Sequence, residues 1–205
     1  MIAIIDYGVG NLFSLACSLK EIGEEAIITS DPDAIRAADK IILPGVGAFE
    51  DAADKLFSGG LGDLVKEEAK SGKPILGICL GMQLLFDKSF EYGEHKGLGL
   101  IEGEVRYIGE IIPEGLKIPH IGWNALSMKE PKSGIFKYLE QGDCVYFVHS
   151  YYAAKCEKNV IAYTEYGAPI TAAVASGNVY GCQFHPEKSG KAGLSILKAF
   201  AEIEV

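Results

Sequence analysis

The sequence predicts an α/β fold: an open sheet with a parallel core and antiparallel strands added to it. Three observations carry that prediction. Short apolar runs alternate with stretches of helical spacing in the first part of the chain. The runs IAIID (2–6), KIILP (40–44) and PILGI (74–78) are almost wholly apolar, as in strands covered on both faces. After Gly97 the pattern changes to strand-like runs without long helices between them.

IAIID is the first predicted strand and leads into the glycine-rich turn YGVGN. LFSLACSLKEIG (12–23) has helical apolar spacing, and EAIIT (25–29) is a second strand. SDPDAIRAAD opens with capping chemistry for a short helix. KIILP is the third strand, and one or two helices follow up to Ser71. PILGI is the fourth strand and LGMQLLFDK (80–88) its helix. LIEGEVRYIG (100–109), PHIGWNALSM (119–128), DCVYFVHSYYA (143–153), NVIAYTEYG (159–167), ITAAVASG (170–177) and NVYGCQFHP (178–186) are mostly strands, in antiparallel or mixed order. KAGLSILKAFAEI (191–203) is a closing helix. With no linker, repeat or low-complexity tract, the 205 residues are expected to form one domain, 1–205.

At 48% hydrophobic and 23% charged, the chain has the means to bury a normal core. Its formal net charge of −9 argues against nucleic acid as a partner, because phosphate binding needs a basic face. The N-terminus MIAIIDYG has no basic region and too short an apolar run for a signal peptide. No segment reaches the roughly 18 apolar residues of a membrane span. Five cysteines with no C-x-x-C pair support neither a disulfide framework nor a zinc site. A cytoplasmic protein without metal or cofactor is expected.

The chemistry begins at GICLG (77–81), where Cys79 stands between two glycines as a strand gives way to a helix. Ligands of open α/β sheets collect beyond the carboxyl ends of the strands, where Cys79 falls. Gly77 and Gly81 remove side chains that would crowd a sharp turn, the logic of a nucleophile elbow with sulfur in place of oxygen. A helix N-terminus beyond it favours thiolate over thiol. A buried cysteine beside packing glycines has the same local sequence, so further signals have to decide.

QFHPEKSG supplies one. The residue before proline is driven toward extended geometry, so His185 and Glu187 are expected to face the same way. A carboxylate that orients an imidazole completes the roles of nucleophile, base and orienting acid. LPGVG (43–47) supplies another, since backbone N–H groups around Gly45, Val46 and Gly47 can face an oxyanion. Three such pieces on one sheet favour acyl transfer by cysteine over plain packing.

Together these residues resemble the class I, triad-type glutamine amidotransferases. PGVG, GICLGMQ and FHPE match that family's oxyanion strand, nucleophile elbow and base–acid pair in order. DYGVGN (6–11), PHIGWN (119–124) and YFVHSYY (146–152) narrow the resemblance to one branch, the glutaminase subunits of imidazole glycerol phosphate synthase. The resemblance implies a flavodoxin-like sheet and hydrolysis of L-glutamine through a γ-glutamyl thioester on Cys79. His185 would move the protons and Glu187 would orient it. Leu80 would join the PGVG backbone in the oxyanion site. Gln83, Glu91, Ser150 and Tyr151 would hold glutamine. Gln83, four residues after Cys79, lies on the same helix face; Glu91 sits in a polar loop that by itself needs no special explanation. His149 reads as a strand histidine satisfied by backbone, with no chemistry assigned.

The same resemblance implies that ammonia passes to a cyclase making imidazole glycerol phosphate and AICAR in histidine biosynthesis. No synthase domain follows the triad, so the cyclase is expected on a separate polypeptide, touching this chain through Asn11, Trp123 and Lys188. Two other readings compete. One is a glutaminase subunit serving anthranilate, aminodeoxychorismate or pyridoxal phosphate synthesis, against which PHIGWN and DYGVGN count. The other is a non-catalytic binding module with YGVGN as a phosphate nest, which has no need of Cys79, His185 and Glu187 together.

Overall fold

Alternation along the first strand organises the molecule. In a computed structural model that describes residues 1–204, β1 (Ile2–Ile5) sends Ala3 and Ile5 to one face of a sheet and Ile2 and Ile4 to the other. α1 (Leu12–Glu21) packs Leu15 and Leu19 on the Ile2/Ile4 face. β2 (Ala26–Thr29), α2 (Pro32–Ala37, capped by the Asp31 carboxylate on Asp33 N) and β3 (Lys40–Leu43) follow. α3 (Phe49–Ser58) and α4 (Leu61–Lys70) cover the Ala3/Ile5 face with Phe49, Leu56, Leu64 and Val65. β4 (Ile75–Ile78) ends at the cysteine elbow.

The next helix is shorter than its apolar spacing predicts. α5 spans only Leu80–Leu84, and Phe86–Ser89 is a strand, β5. Returning backbone captures this segment: Leu98 N bonds to Leu84 O at 2.8 Å, Gly99 N to Phe86 O at 3.0 Å and Gly97 N to Asp87 O at 2.9 Å. These bonds end the helix, and the change to strands starts at Phe86, not after Gly97. β5 pairs with β6 (His95–Lys96) and, in parallel, with β7 (Ile101–Tyr107).

β8 (His120–Ala125) and β9 (Ser127–Met128) come next, then β10 (Cys144–His149) and β11 (Tyr151–Ala154). β12 (Val160–Glu165), β13 (Pro169–Ser176) and β14 (Val179–Cys182) lead to α6 (Gly190–Ala201). The main sheet has eight strands in the order β2-β1-β3-β4-β14-β13-β12-β9. It is parallel from β2 to β14 and antiparallel beyond, as expected. β10 pairs with β8, and β11 joins a four-stranded sheet, β11-β7-β5-β6. α6 packs Ile196, Leu197 and Phe200 beside α1, so both faces of the parallel core are covered. No helix among the described residues is long and apolar enough to cross a membrane.

Candidate active site

β4 and β14 lie side by side in parallel, with Ile78 opposite Cys182. Cys79 leaves β4 with its N–H on Cys182 O at 2.7 Å and then turns with φ +55° and ψ −112°. Positive φ is uncommon and strained for a residue with a side chain, and such strain collects at functional sites. The flanking glycines are sterically required. A Cβ on Gly77 would lie 2.7 Å from Gly81 O, and one on Gly81 would overlap the Leu43 carbonyl at the end of β3. The turn therefore stands beside the PGVG segment that continues from Leu43.

His185 follows β14, buried, with its N–H on Tyr146 O at 3.0 Å. Its Nδ1 is 2.8 Å from Glu187 Oε1. The expected pairing is present, but extended backbone does not produce it. His185 is extended, whereas Pro186–Lys188 forms a 3-10 turn that swings the carboxylate back. Ser189 holds the turn, donating its hydroxyl to His185 O at 2.6 Å while accepting from Tyr146 N at 2.9 Å. Burial presses the imidazole toward neutrality. Hydrogen bonds to Cys79 and Glu187 outweigh it and push the His185 pKa up to about 9. With Nδ1 on Glu187, Nε2 is left for the sulfur, an arrangement able to serve as nucleophile, base and orienting acid.

Cys79 and His185 line a cavity of about 310 Å³, at the small end of the range for ligand sites. Val46, Gly47 and Leu80 line it with them, as do Gln83, Glu91, Ser150, Tyr151 and Lys188. Gly45 does not. It packs behind, where a Cβ would lie 2.7 Å from Gly81 N and 2.9 Å from Tyr7 Oη. Tyr7 in turn donates its hydroxyl to Pro44 O at 2.6 Å. The PGVG loop is thus fixed at Pro44–Gly45 and open at Gly47, which has φ +99° and nothing near its missing Cβ.

Residues 3–203 match the family model described as Glutamine amidotransferase class-I. The chain belongs to that family. It is 52% identical over 204 residues to the imidazole glycerol phosphate synthase subunit HisH of Caldanaerobacter subterraneus subsp. tengcongensis, covering 99% of this chain and 98% of the relative. The HisH of Wolinella succinogenes is 50% identical over 99% of this chain and 100% of its own length. Among solved structures, a glutamine amidotransferase superposes with a TM-score of 0.75 at 19% identity, over 98% of this chain and 100% of its own. PurLQS from Thermotoga maritima gives 0.73 at 21% identity, over 98% and 96%. The structural likenesses speak for the fold alone.

Within this amidotransferase fold, Gln83 is not a solvated helix residue. It is buried, and its Nε2 donates to Tyr151 O at 3.1 Å and to Gln183 Oε1 at 3.0 Å. Glu91 has a definite task as well, since its Oε2 accepts from Phe49 N at 2.8 Å, in the first turn of α3. Burial pushes its carboxyl pKa up, against that hydrogen bond. Ser150 and Tyr151 join β10 to β11 at the cavity wall.

Asn11 and Trp123 lie outside the cavity. Asn11 borders a small cleft with His185, Glu187 and residues 44–46 of the PGVG loop. Trp123 is 56% exposed, with its ring edge-to-face on Tyr146 at 6.0 Å. A Cβ on Gly190 would lie 4.0 Å from the indole, so Trp123 sits over the start of α6, close to Lys188.

The sequence reading missed three groups. Pro119 and Val148 line the cavity from within PHIGWN and YFVHSYY, with no side-chain chemistry to single them out. His149 is backbone-satisfied as read, Nδ1 to Tyr151 O at 2.8 Å, but its Nε2 also meets His120 Nδ1 at 3.1 Å. Burial lowers the His149 pKa to about 3. Gln183, two residues before His185, sets its Nε2 3.7 Å from Cys79 Sγ. Among the described residues, no group of three or more His, Cys, Asp or Glu is placed to hold a metal.

Proposed function

We propose that this class I amidotransferase is the glutaminase subunit of imidazole glycerol phosphate synthase, a single domain over 1–205 working in the cytoplasm. One observation carries the chemistry: Cys79 and His185, backed by Glu187, meet in a cavity that Gln83, Glu91, Ser150 and Tyr151 also line. The full-length likeness to HisH subunits near 50% identity supports the pathway.

Cys79 sulfur attacks the side-chain carbonyl carbon of L-glutamine. Negative charge builds on that oxygen, opposite the N–H of Leu80 and of the Val46–Gly47 backbone. His185 gives its proton to the departing nitrogen, ammonia leaves, and a γ-glutamyl thioester remains on Cys79. His185 then takes a proton from water, the hydroxyl adds to the thioester, and glutamate and the sulfur are released. Glu187 keeps the imidazole in the orientation both steps need. Ammonia crosses to a separate cyclase subunit covering the face marked by Asn11, Trp123 and Lys188, which makes imidazole glycerol phosphate and AICAR. The test is glutamate release by the chain alone, with the cyclase, and with cyclase plus acceptor. Turnover that rises in that order is expected, and no glutamate in any of the three would overturn the reading.

A further inference from the structure

Gln183 is fully buried, yet it reaches Cys79. A buried carboxamide needs partners at both ends. Its Oε1 accepts from Gln83 Nε2 at 3.0 Å, and its Nε2 stands 3.7 Å from Cys79 Sγ, a hydrogen-bond distance for the larger sulfur atom.

The order of oxygen and nitrogen in both amides follows from what they face. Tyr151 O is a backbone carbonyl and only accepts. It takes one proton from His149 Nδ1 at 2.8 Å and one from Gln83 at 3.1 Å, so that end of Gln83 is the NH2. The same NH2 faces Gln183, whose near end must be the oxygen. The far end, the NH2, is then the one that meets sulfur. A carbonyl two side chains away dictates that Cys79 receives a donor.

We propose that Gln183 is a positioning residue that stabilises the thiolate form of Cys79, and that Gln83 locks it in the donating orientation. A hydrogen bond to the charged form favours that form. Charge-assisted bonds of this kind are about twice as strong as neutral ones. Gln83 thereby has a second task beside glutamine, because both of its amide protons are used and only its oxygen is left for the cavity. The proposal rests on Cys79 being the nucleophile, but its readout needs no glutamine turnover.

The test is the pH dependence of Cys79 alkylation by iodoacetamide, followed on the peptide containing Cys79 so that the other cysteines do not interfere. Titratable groups near the sulfur are His185 and Glu187 beyond β14, Cys182 on β14 and Tyr7 beyond β1; the variants leave all of them in place. Gln183→Met keeps length and removes the donor. Its alkylation curve should move up by about one pH unit, a roughly tenfold loss of rate on the rising limb. Gln183→Glu should move the curve further, because it sets a negative charge against the sulfur. A merely structural role changes the plateau rate or the melting temperature and leaves the midpoint in place. Coincident midpoints in wild type and Gln183→Met overturn the proposal. If Gln183→Met does not fold, Gln83→Leu decides: Gln183 then loses its lock, the midpoint should still rise, and an unmoved midpoint overturns the proposal.

Discussion

Gly81 sits against Leu43 with no room for a side chain; a Cβ there would overlap the Leu43 carbonyl oxygen and lie 2.8 Å from its carbon. Helix α5 and the end of β3 are therefore pressed together backbone to backbone, next to Cys79.

Gly81→Ala should force them apart. Overpacking a close contact costs about 1–3 kcal/mol, and both sides here are backbone, so the cost should reach the upper end. Chemical denaturation measures it. Gly134→Ala, with open space around it, is the control and should be near neutral.

Cys79→Ala should abolish glutamate release, since no thioester can form. His185→Ala should do nearly the same, because base and nucleophile act as a unit. Glu187→Ala should cost less, as an orienting group. Steady-state kcat measures all three, and near-normal turnover in Cys79→Ala would end the cysteine mechanism.

In the proposed reaction the ammonia-releasing step needs protonated His185, whose pKa is pushed up to about 9. Activity should fall as pH rises through that value. Glu187→Gln removes one cause of the shift and should move the falling limb of kcat/KM to lower pH. An unmoved limb would separate it from His185.

His149 is held neutral by burial, with a pKa lowered to about 3. The unfolded chain binds this proton near pH 6.5, so a group depressed this way adds stability above that pH and loses it as pH falls toward 3. The loss at full titration is on the order of a few kcal/mol. His149→Gln should flatten the stability curve between those limits. His185 acts in the opposite sense: its contribution is complete below about 6.5 and disappears as pH rises through 9. Urea melts from pH 4 to 10 test both slopes.

Trp123→Ala and Lys188→Ala should weaken cyclase binding while the isolated chain's melting temperature stays close to wild type, because both side chains are exposed. Exposed aromatic anchors often contribute more than 1 kcal/mol at an interface, and lone surface lysines about 0–1. Wild-type affinity in both would remove this face from the complex.

What could be read early was whatever a local pattern encodes. The buried strands β1, β3 and β4 follow from unbroken apolar runs, and 3.6-residue spacing predicts helix before Ser71 without deciding between one helix and the two found at 49–58 and 61–70. Cys79, His185 and Glu187 stand in short motifs with their own mechanics. Phe86 was misread because Leu84, Leu85 and Phe86 continue the helical spacing; only the capture of this segment by residues 97–101 makes it a strand. Helical spacing places Gln83 on the Cys79 face but shows neither its burial nor its partners, and nothing local singles out Glu91. Their meaning depends on Gln183 and Phe49, each reached through the fold and not through neighbouring sequence.

The sheet order also sets a sequence in time. Cys79 ends β4, and its buried partner Gln183, 104 positions further along the chain, follows β14, the strand next to it. Until β14 arrives, β4 is an open edge and the cysteine has neither base nor amide donor. Contacts of such long sequence separation form late, because their loop entropy must be met first. A growing or half-folded chain therefore holds Cys79 apart from His185 and Gln183, and the proposed site is assembled only with the last strand of the core.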